Sequence, residues 1–351
     1  MSRAARLSLG SRSPLQAVVA GRLRGDAHAK SPRVGFAGRF GCAGSSALRQ
    51  ALAKALAKTH ALAVAQTLVL AVVCAAGVAS TSRAVGAEPP KPLKALLVAG
   101  GCCHDYEKQK EVLKTGIEAR AHVVVDVCYS PDRSTKARFT CYDKEDWAAG
   151  YDVVIHDECS SDVKEGPYVQ RILDAHRKGV PAVNLHCAMH SYRLGNDDWF
   201  QFLGLHSMAH GPQKPIDVKY VDREHPITRT LGDWTTINEE LYNNLRVFDT
   251  AKPLARGVQD TGKKVDDYVV TWVNQYGKTR VFCTTLGHNT ATVADPRYLE
   301  LVTRGLLWSC DKLDDRYLKP APAGVPAGSG AANDNAEKAA GPQPTPAKRS
   351  P

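Results

Sequence analysis

The chain has 351 residues, with 46 Lys and Arg against 36 Asp and Glu and a formal net charge of +10. Residues 1–90 carry 12 of the basic side chains and 2 of the acidic ones, which leaves 34 of each sign for residues 91–351. Because the excess charge lies wholly in the N-terminal part, the basic composition gives no reason to expect a nucleic-acid partner for the remainder.

The first 87 residues are predicted to be an N-terminal extension that ends in a signal peptide. An apolar run, 61–73, follows Lys54 and Lys58 and leads into small residues, which favours export with cleavage after Ala87. Cleavage there would remove the only apolar run of near-membrane length, so we expect no stable membrane anchor in the mature protein.

Other readings of this extension stay open. Cys74 offers a site for lipid attachment, and the Arg, Ser and Ala content of residues 1–60 also suits an organellar transit peptide. A later start of translation is a third alternative, although no methionine lies between Met1 and Met189.

Strands and helices alternate from residue 94 to residue 185. The strands are short apolar or β-branched runs, and the helices carry apolar residues on one face. This alternation is typical of a parallel sheet with right-handed crossovers and helices on both faces. The predicted strands are 95–99, 122–128, 152–155 and 181–185, and the predicted helices cover 105–120 and 170–176.

The second half predicts shorter strands and one β-hairpin. The hairpin joins 268–274 to 279–285, and Asp295 with Pro296 should start a final helix that runs through Trp308. Further strands are expected at 216–221, 246–249 and 254–258. We therefore expect one α/β domain over 91–318, followed by a disordered Pro-, Ala- and Gly-rich tail over 319–351.

Five short polar clusters stand where predicted strands end. An open α/β sheet gathers its ligand-binding groups at the carboxyl ends of its strands, so the clusters predict one polar pocket. They are Gly100–Asp105, Asn184–Ala188, His225–Thr228, Glu239–Tyr242 and Leu286–Asn289.

In this order the clusters resemble the ThuA-like (trehalose utilisation) family over about 94–310. The resemblance implies a flavodoxin-like, class I glutamine amidotransferase-like fold, here an open parallel sheet with an added β-hairpin. It also implies a role in the breakdown of glucosides such as trehalose. Glutamine hydrolysis is not expected, because the position of the amidotransferase nucleophile falls on His186 and Cys187 comes one residue later.

The clusters and the resemblance together suggest roles for individual residues. The expected catalytic residues are His104, His186, Glu240 and His288, with Asp105 orienting His104. The same three histidines could hold a divalent metal such as zinc, although the sequence alone requires no cofactor. Expected substrate-binding residues are Gly101, Cys187, His210, Tyr242 and Trp272.

Each of these roles has a structural alternative. Asp105 could only cap a helix, Glu240 could belong to the first turn of a helix, and Trp272 could lie in the core. Cys187 could be a nucleophile or a small buried side chain.

The cysteine spacing resembles no disulfide framework. Cys102 and Cys103 could form a vicinal disulfide, but free thiols are the preferred expectation.

The preferred function is an enzyme that acts on a glucoside or a 3-keto-glucoside, with a small sugar as its partner. A non-catalytic carbohydrate-binding protein and a metal-dependent hydrolase are the alternatives. The sequence leaves open whether the chain forms a homo-oligomer.

Overall fold

The computed structural model describes residues 88–320. The main element of these residues is a nine-stranded sheet. The predicted signal peptide, Cys74 and tail residues 321–351 lie outside the described residues. The order of strands combines a parallel half with an antiparallel half, so the sheet is mixed.

The parallel half contains the strands that the sequence predicts. The strands of the parallel half, in spatial order, are β2 (Val123–Ser130), β1 (Leu93–Gly101), β3 (Val153–Cys159), β4 (Ala182–Leu185) and β13 (Thr279–Thr284). β1 is nearly continuous in apolar residues and is buried from its third residue onward, as expected of a strand with helices on both faces.

Helices cover both faces of the sheet, which confirms the predicted α/β class. α1 (Tyr106–Arg120) and α5 (Pro296–Ser309) share one core with alternate residues of β1. α2 (Gly166–Arg177) and α3 (Asp198–Leu203) contribute to the second core on the opposite face. The Asp295 side chain accepts a hydrogen bond from the backbone N–H of Arg297 and so caps α5 as predicted.

The predicted hairpin does not stand apart from the sheet but extends it. β13 pairs with β4 in parallel and with β12 in antiparallel, so the turn between 276 and 279 continues the sheet into its antiparallel half. The antiparallel strands are β12 (Val265–Tyr276), β11 (Ala251–Asp260), β7 (Asp217–Tyr220) and β8 (Trp234–Thr235).

Short elements complete the fold beside the sheet. Two small antiparallel pairs join β5 (Leu205–His206) to β10 (Arg246–Val247), and β6 (His210–Lys214) to β9 (Glu239–Tyr242). The remaining short helices are α4 (Thr290–Val293) and the 3₁₀ turns Thr140–Asp143 and His186–His190. Between residues 88 and 320, no helix has the length and apolar character that crossing a membrane requires.

Residues 88–320 contain three disulfides, and one of them corrects the expectation of free thiols at Cys102 and Cys103. Cys283 and Cys310 are free. The disulfides join Cys102 to Cys103, Cys128 to Cys141, and Cys159 to Cys187. The spacing along the chain gave no hint of the third pair, because its partners meet only when β3 and β4 lie side by side.

Candidate functional site

Three histidines from distant parts of the chain meet at the carboxyl edge of the parallel half. His104 follows β1, His186 follows β4, and His288 follows β13. Their ring centroids lie 4.6 Å (His104–His186), 4.9 Å (His104–His288) and 5.5 Å (His186–His288) apart. One polar centre therefore forms, as the sequence predicts, and we call these residues with Glu240 the histidine site.

His186 lies at a turn that holds its backbone in the left-handed region. Its φ is 40°, at the junction of β4 and a 3₁₀ turn, a conformation that costs a residue with a Cβ about 1–3 kcal/mol. Its Nδ1 is 2.7 Å from the carbonyl oxygen of Thr285 and donates a hydrogen bond to it. This bond fixes the tautomer, so Nε2 is the nitrogen without a proton and faces the site.

The small sheet of β6 and β9 brings Glu240 and Tyr242 to the histidines. The Tyr242 hydroxyl lies 3.2 Å from His186 Nε2 and can donate a hydrogen bond to it. Glu240 Oε2 is 3.7 Å from the same nitrogen, and Oε1 is 3.3 Å from His288 Nδ1. These residues form a strand, so the alternative of a helix first turn is wrong for Glu240.

The rim of the site is formed by His210 on β6. Its Nε2 lies 3.6 Å from Glu240 Oε1, and its side chain is 41% exposed, whereas that of His288 is 15% and that of His186 is 2% exposed. A ligand would therefore approach the buried imidazoles past His210.

Burial and mutual repulsion keep two of the imidazoles neutral. Burial, followed by the proximity of His288, lowers the pKa of His104 to about 3. Burial and the neighbouring His104 lower the pKa of His186 well below its usual range. Both rings therefore present lone pairs near neutral pH, as a metal ligand or a proton acceptor must.

Glu240 and His288 behave as an ion pair within the site. Burial acts to raise the pKa of Glu240, but the surrounding histidines, His288 above all, outweigh it and lower that pKa to about 2. Burial acts to lower the pKa of His288, but the Glu240 carboxylate outweighs it and raises that pKa. The site thus combines two neutral imidazoles, His104 and His186, with His288, whose protonated form is favoured.

Three residues that the sequence reasoning missed hold the His288 loop. Glu239 is fully buried and accepts backbone N–H bonds from His288 (3.0 Å) and Asn289 (2.9 Å). Gln109 donates to the carbonyl oxygens of Gly287 and His288. The Gln213 amide nitrogen donates to Glu240 Oε1 and lies 2.8 Å from His288 Nε2.

Little in the sequence could have revealed these supporting residues. Glu239 lies next to Glu240 in the sequence, but its hydrogen bonds to the His288 loop depend on the register of β9. Gln109 lies one helical turn beyond Asp105, which only the fold brings beneath the His288 loop. No local pattern marks Gln213.

Two predicted site residues lie elsewhere in the fold. The Asp105 carboxylate forms an ion pair with Lys108 at 2.9 Å, which points to no role for Asp105 in orienting His104. The Asp105 side chain does not cap α1 either. Trp272 is completely buried in the core and donates its indole N–H to the Leu203 carbonyl oxygen, so its predicted stacking on a sugar is wrong.

Gly101 and Cys187, which are predicted to contact the substrate, have structural roles in the fold. A Cβ on Gly101 would lie 2.2 Å from the Cys159 carbonyl oxygen, so the glycine permits close approach of β1 and β3. Cys187 is held in a disulfide with Cys159, which excludes it as a free nucleophile in this state.

The remaining histidines of the predicted motifs do not enter the site. His225 packs against Trp308 and accepts the backbone N–H of Ile227. His206 stacks on Phe200, and the His190 ring stacks on the Tyr242 ring with centroids 3.9 Å apart.

The donor atoms of the histidine site fit a metal ion. One ring nitrogen from each of His104, His186 and His288 lies within 4.8 Å of the others. Among the described residues, Nδ1 of His104 is buried without a hydrogen-bond partner. Neutral imidazoles with an orienting carbonyl behind one of them are the arrangement that zinc sites use.

The fold and the position of the site define the class of protein: an α/β protein with a polar centre at the carboxyl edge of an open sheet. The family model described as ThuA, trehalose utilisation, matches residues 94–309, and the chain belongs to this family. The expectation from the sequence motifs is thereby confirmed.

A solved structure with 20% identity supports the same fold. A ThuA-like protein of Parabacteroides merdae is similar with a TM-score of 0.50 and 20% identity, covering 63% of this chain and 90% of that one. A ThuA-like protein of Bacteroides uniformis gives 0.49 and 18%, covering 64% and 93%. At this identity the likeness bears on the fold alone. No curated protein matches the chain.

Proposed function

We propose that this protein acts on a glucoside or its 3-keto derivative by acid–base chemistry at the histidine site. Membership of the trehalose-utilisation family supports a role in sugar metabolism. The observation that carries the chemical part is the contact of the His288 and His186 imidazoles with Glu240, at nitrogen-to-oxygen distances of 3.3 and 3.7 Å, with the His104 ring packed against both.

A 3-keto-glucoside matches the charges of these side chains. Its carbonyl makes the hydrogen on C2 acidic, and loss of that proton allows the bond between C1 and the glycosidic oxygen to break by elimination. The proton needs an unprotonated acceptor, and the enolate oxygen needs a donor. The site contains both kinds of group.

The roles follow from the pKa directions. His288, whose pKa the Glu240 carboxylate raises, is the donor to the developing enolate oxygen. His104 and His186 are the candidate acceptors, and negative charge growing beside them would oppose the burial and the repulsion that lower their pKa values. Tyr242 keeps its proton, because burial raises its pKa, and it orients His186.

Zinc is the metal that this donor set would suit, held by His104, His186 and His288. A bound zinc ion would polarise the carbonyl or a water molecule. Glu240 would then support His186 and His288 from behind, and His210 would contact the substrate at the rim.

We also propose that the protein is exported. The basic and apolar N-terminal segment supports this, and the three disulfides are typical of an oxidising compartment. Cell fractionation with a C-terminal epitope, followed by N-terminal sequencing of the mature chain, tests it; an intact N-terminus in the cytoplasm would contradict it.

A non-catalytic sugar receptor is the second candidate. The Tyr242 hydroxyl already occupies the free nitrogen of His186, and such a paired, buried arrangement also suits binding without turnover. Sugar binding with no product, and affinity unchanged in His186→Ala, would favour the receptor.

Product NMR in D2O distinguishes these functions. The protein is incubated with a panel of glucosides and 3-keto-glucosides, with and without added zinc. We expect deuterium at C2 and cleavage of the glycosidic bond for a 3-keto-glucoside, with a loss of about 10²-fold or more in His186→Ala and in His288→Ala. His206→Ala, outside the site, is the matched control. Full turnover in both site variants would refute the proposal, and turnover only of unoxidised glucosides with zinc would favour a metal-dependent hydrolase.

A further inference from the structure

Four cysteines form a second chemical centre beneath the histidine site. Cys102 and Cys103 follow β1 and are bonded to each other, and Cys159 at the end of β3 is bonded to Cys187. The Cys102 and Cys159 sulfur atoms are 3.5 Å apart, so the two disulfides are in contact. We call these four residues the cysteine cluster.

The cysteine cluster has one exposed member. Cys103 is exposed, whereas Cys102, Cys159 and Cys187 are 8%, 3% and 5% exposed. Cys103 also has a φ of 85°, a left-handed backbone conformation that carries a cost for a residue with a Cβ. An external thiol can reach the sulfur of Cys103, but the Cys159–Cys187 pair is shielded from solvent.

From this arrangement we propose that the cysteine cluster is a redox centre in which the Cys102–Cys103 disulfide carries electrons from an external dithiol to the buried Cys159–Cys187 disulfide. The substrate class is a dithiol, as a small molecule or on a partner protein. The activity is thiol–disulfide exchange, separate from the sugar chemistry proposed above.

Four thiol–disulfide exchanges account for every atom and electron. The dithiol attacks Cys103, its second thiol closes its own disulfide, and Cys102 and Cys103 are left as thiols. The Cys102 thiolate attacks the Cys159 sulfur, which forms a Cys102–Cys159 bond, breaks the Cys159–Cys187 bond and releases Cys187. Cys103 then attacks Cys102, which releases Cys159 and restores the first disulfide. The dithiol loses two electrons and two protons, and the Cys159–Cys187 pair gains them.

The cysteine cluster shares His104 with the histidine site. A ring nitrogen of His104 lies within 4.8 Å of the sulfur atoms of both Cys159 and Cys187. Cys187 also follows His186 directly in the chain. A change in the redox state of the buried pair therefore occurs in contact with one imidazole of the site and beside the backbone of another.

Alkylation mapped by mass spectrometry tests the pathway in the full chain. Air-oxidised protein is exposed to dithiothreitol, quenched with iodoacetamide at timed points, and digested. In Cys102→Ser/Cys103→Ser we expect the labelling rate of Cys159 and Cys187 to fall on the order of tenfold or more. The Cys128–Cys141 disulfide is the internal control and should react at the same rate in both proteins. Equal labelling of Cys159 and Cys187 in both proteins would overturn the proposal.

A trapping variant makes the test independent of that double substitution. In Cys103→Ser/Cys187→Ser each remaining cysteine has lost its partner, and we expect mild oxidation to form the Cys102–Cys159 disulfide. Recovery of both residues as separately alkylated thiols would overturn the proposal. The zinc content of the reduced wild-type protein and of reduced Cys102→Ser/Cys103→Ser is a third measurement. If the variant binds one equivalent of zinc less than the wild type, the cysteines form a thiolate metal site and the exchange pathway is overturned.

Discussion

Gly287→Ala is the substitution that most sharply probes how the His288 loop is built. Gly287 has a φ of 120°, and a Cβ there would lie 2.7 Å from the Tyr298 hydroxyl and 3.5 Å from the Cβ of His186. The backbone conformation should cost about 1–3 kcal/mol and the overlap with the buried hydroxyl a similar amount. We therefore expect the free energy of unfolding to fall by about 2–5 kcal/mol.

Urea unfolding measures this loss, and two further variants separate its causes. Gly262→Ala changes a glycine with a φ of 77° and open space around it, so it should lose only the backbone part, about 1 kcal/mol. Tyr298→Phe removes the overlapping oxygen, which donates a hydrogen bond to the Leu286 carbonyl. In Gly287→Ala/Tyr298→Phe the loss should be about 1–2 kcal/mol smaller than the sum of the single losses. Equal losses at Gly287 and Gly262, or strict additivity, would refute the reasoning.

Three more predictions concern buried polar groups. Burial, and after it the neighbouring His156, lowers the pKa of His176 to about 3. Because His176 binds a proton more readily in the unfolded chain than in the folded protein, the stability should fall as the pH drops from 7 to 5. His176→Asn should reduce that pH-dependent loss by about 2 kcal/mol in urea titrations, and an unchanged pH dependence would contradict this. Glu239→Gln should lose about 2–3 kcal/mol of unfolding free energy, because one amide oxygen cannot accept both backbone N–H bonds of the His288 loop. Sugar turnover should be lost with it, and wild-type stability of the variant would refute this role of Glu239. Trp272→Phe should lose about 2 kcal/mol of unfolding free energy through a cavity and the lost indole hydrogen bond to the Leu203 carbonyl. A stable variant with a raised KM for sugar would restore the stacking role.

The sheet could be predicted because its strands carry their own signal. The run 95–99 is continuously apolar and buried on both faces, and the Asp295–Pro296 pair marks the start of the last helix. The same argument placed His104, His186 and His288 at one edge, since the carboxyl ends of parallel strands share an edge.

Contacts between distant segments could not be predicted in the same way. The cysteine cluster depends on which strands are neighbours, and no spacing along the chain encodes that β1 lies beside β3. Trp272 sits in a strand covered on both faces, where alternation gives no sign of which side chains face a ligand. Glu239 acts through backbone N–H groups fifty residues away, which leave no local pattern.

Deuterium exchange at C2 of a 3-keto-glucoside, followed by NMR in D2O, tests most directly whether the imidazoles and Glu240 work as one site. We expect Glu240→Gln and His288→Ala each to slow this exchange about 10²-fold or more, and the double variant to be little slower than the worse single one, because the two residues act as a pair. Exchange at the wild-type rate in either single variant would contradict the account.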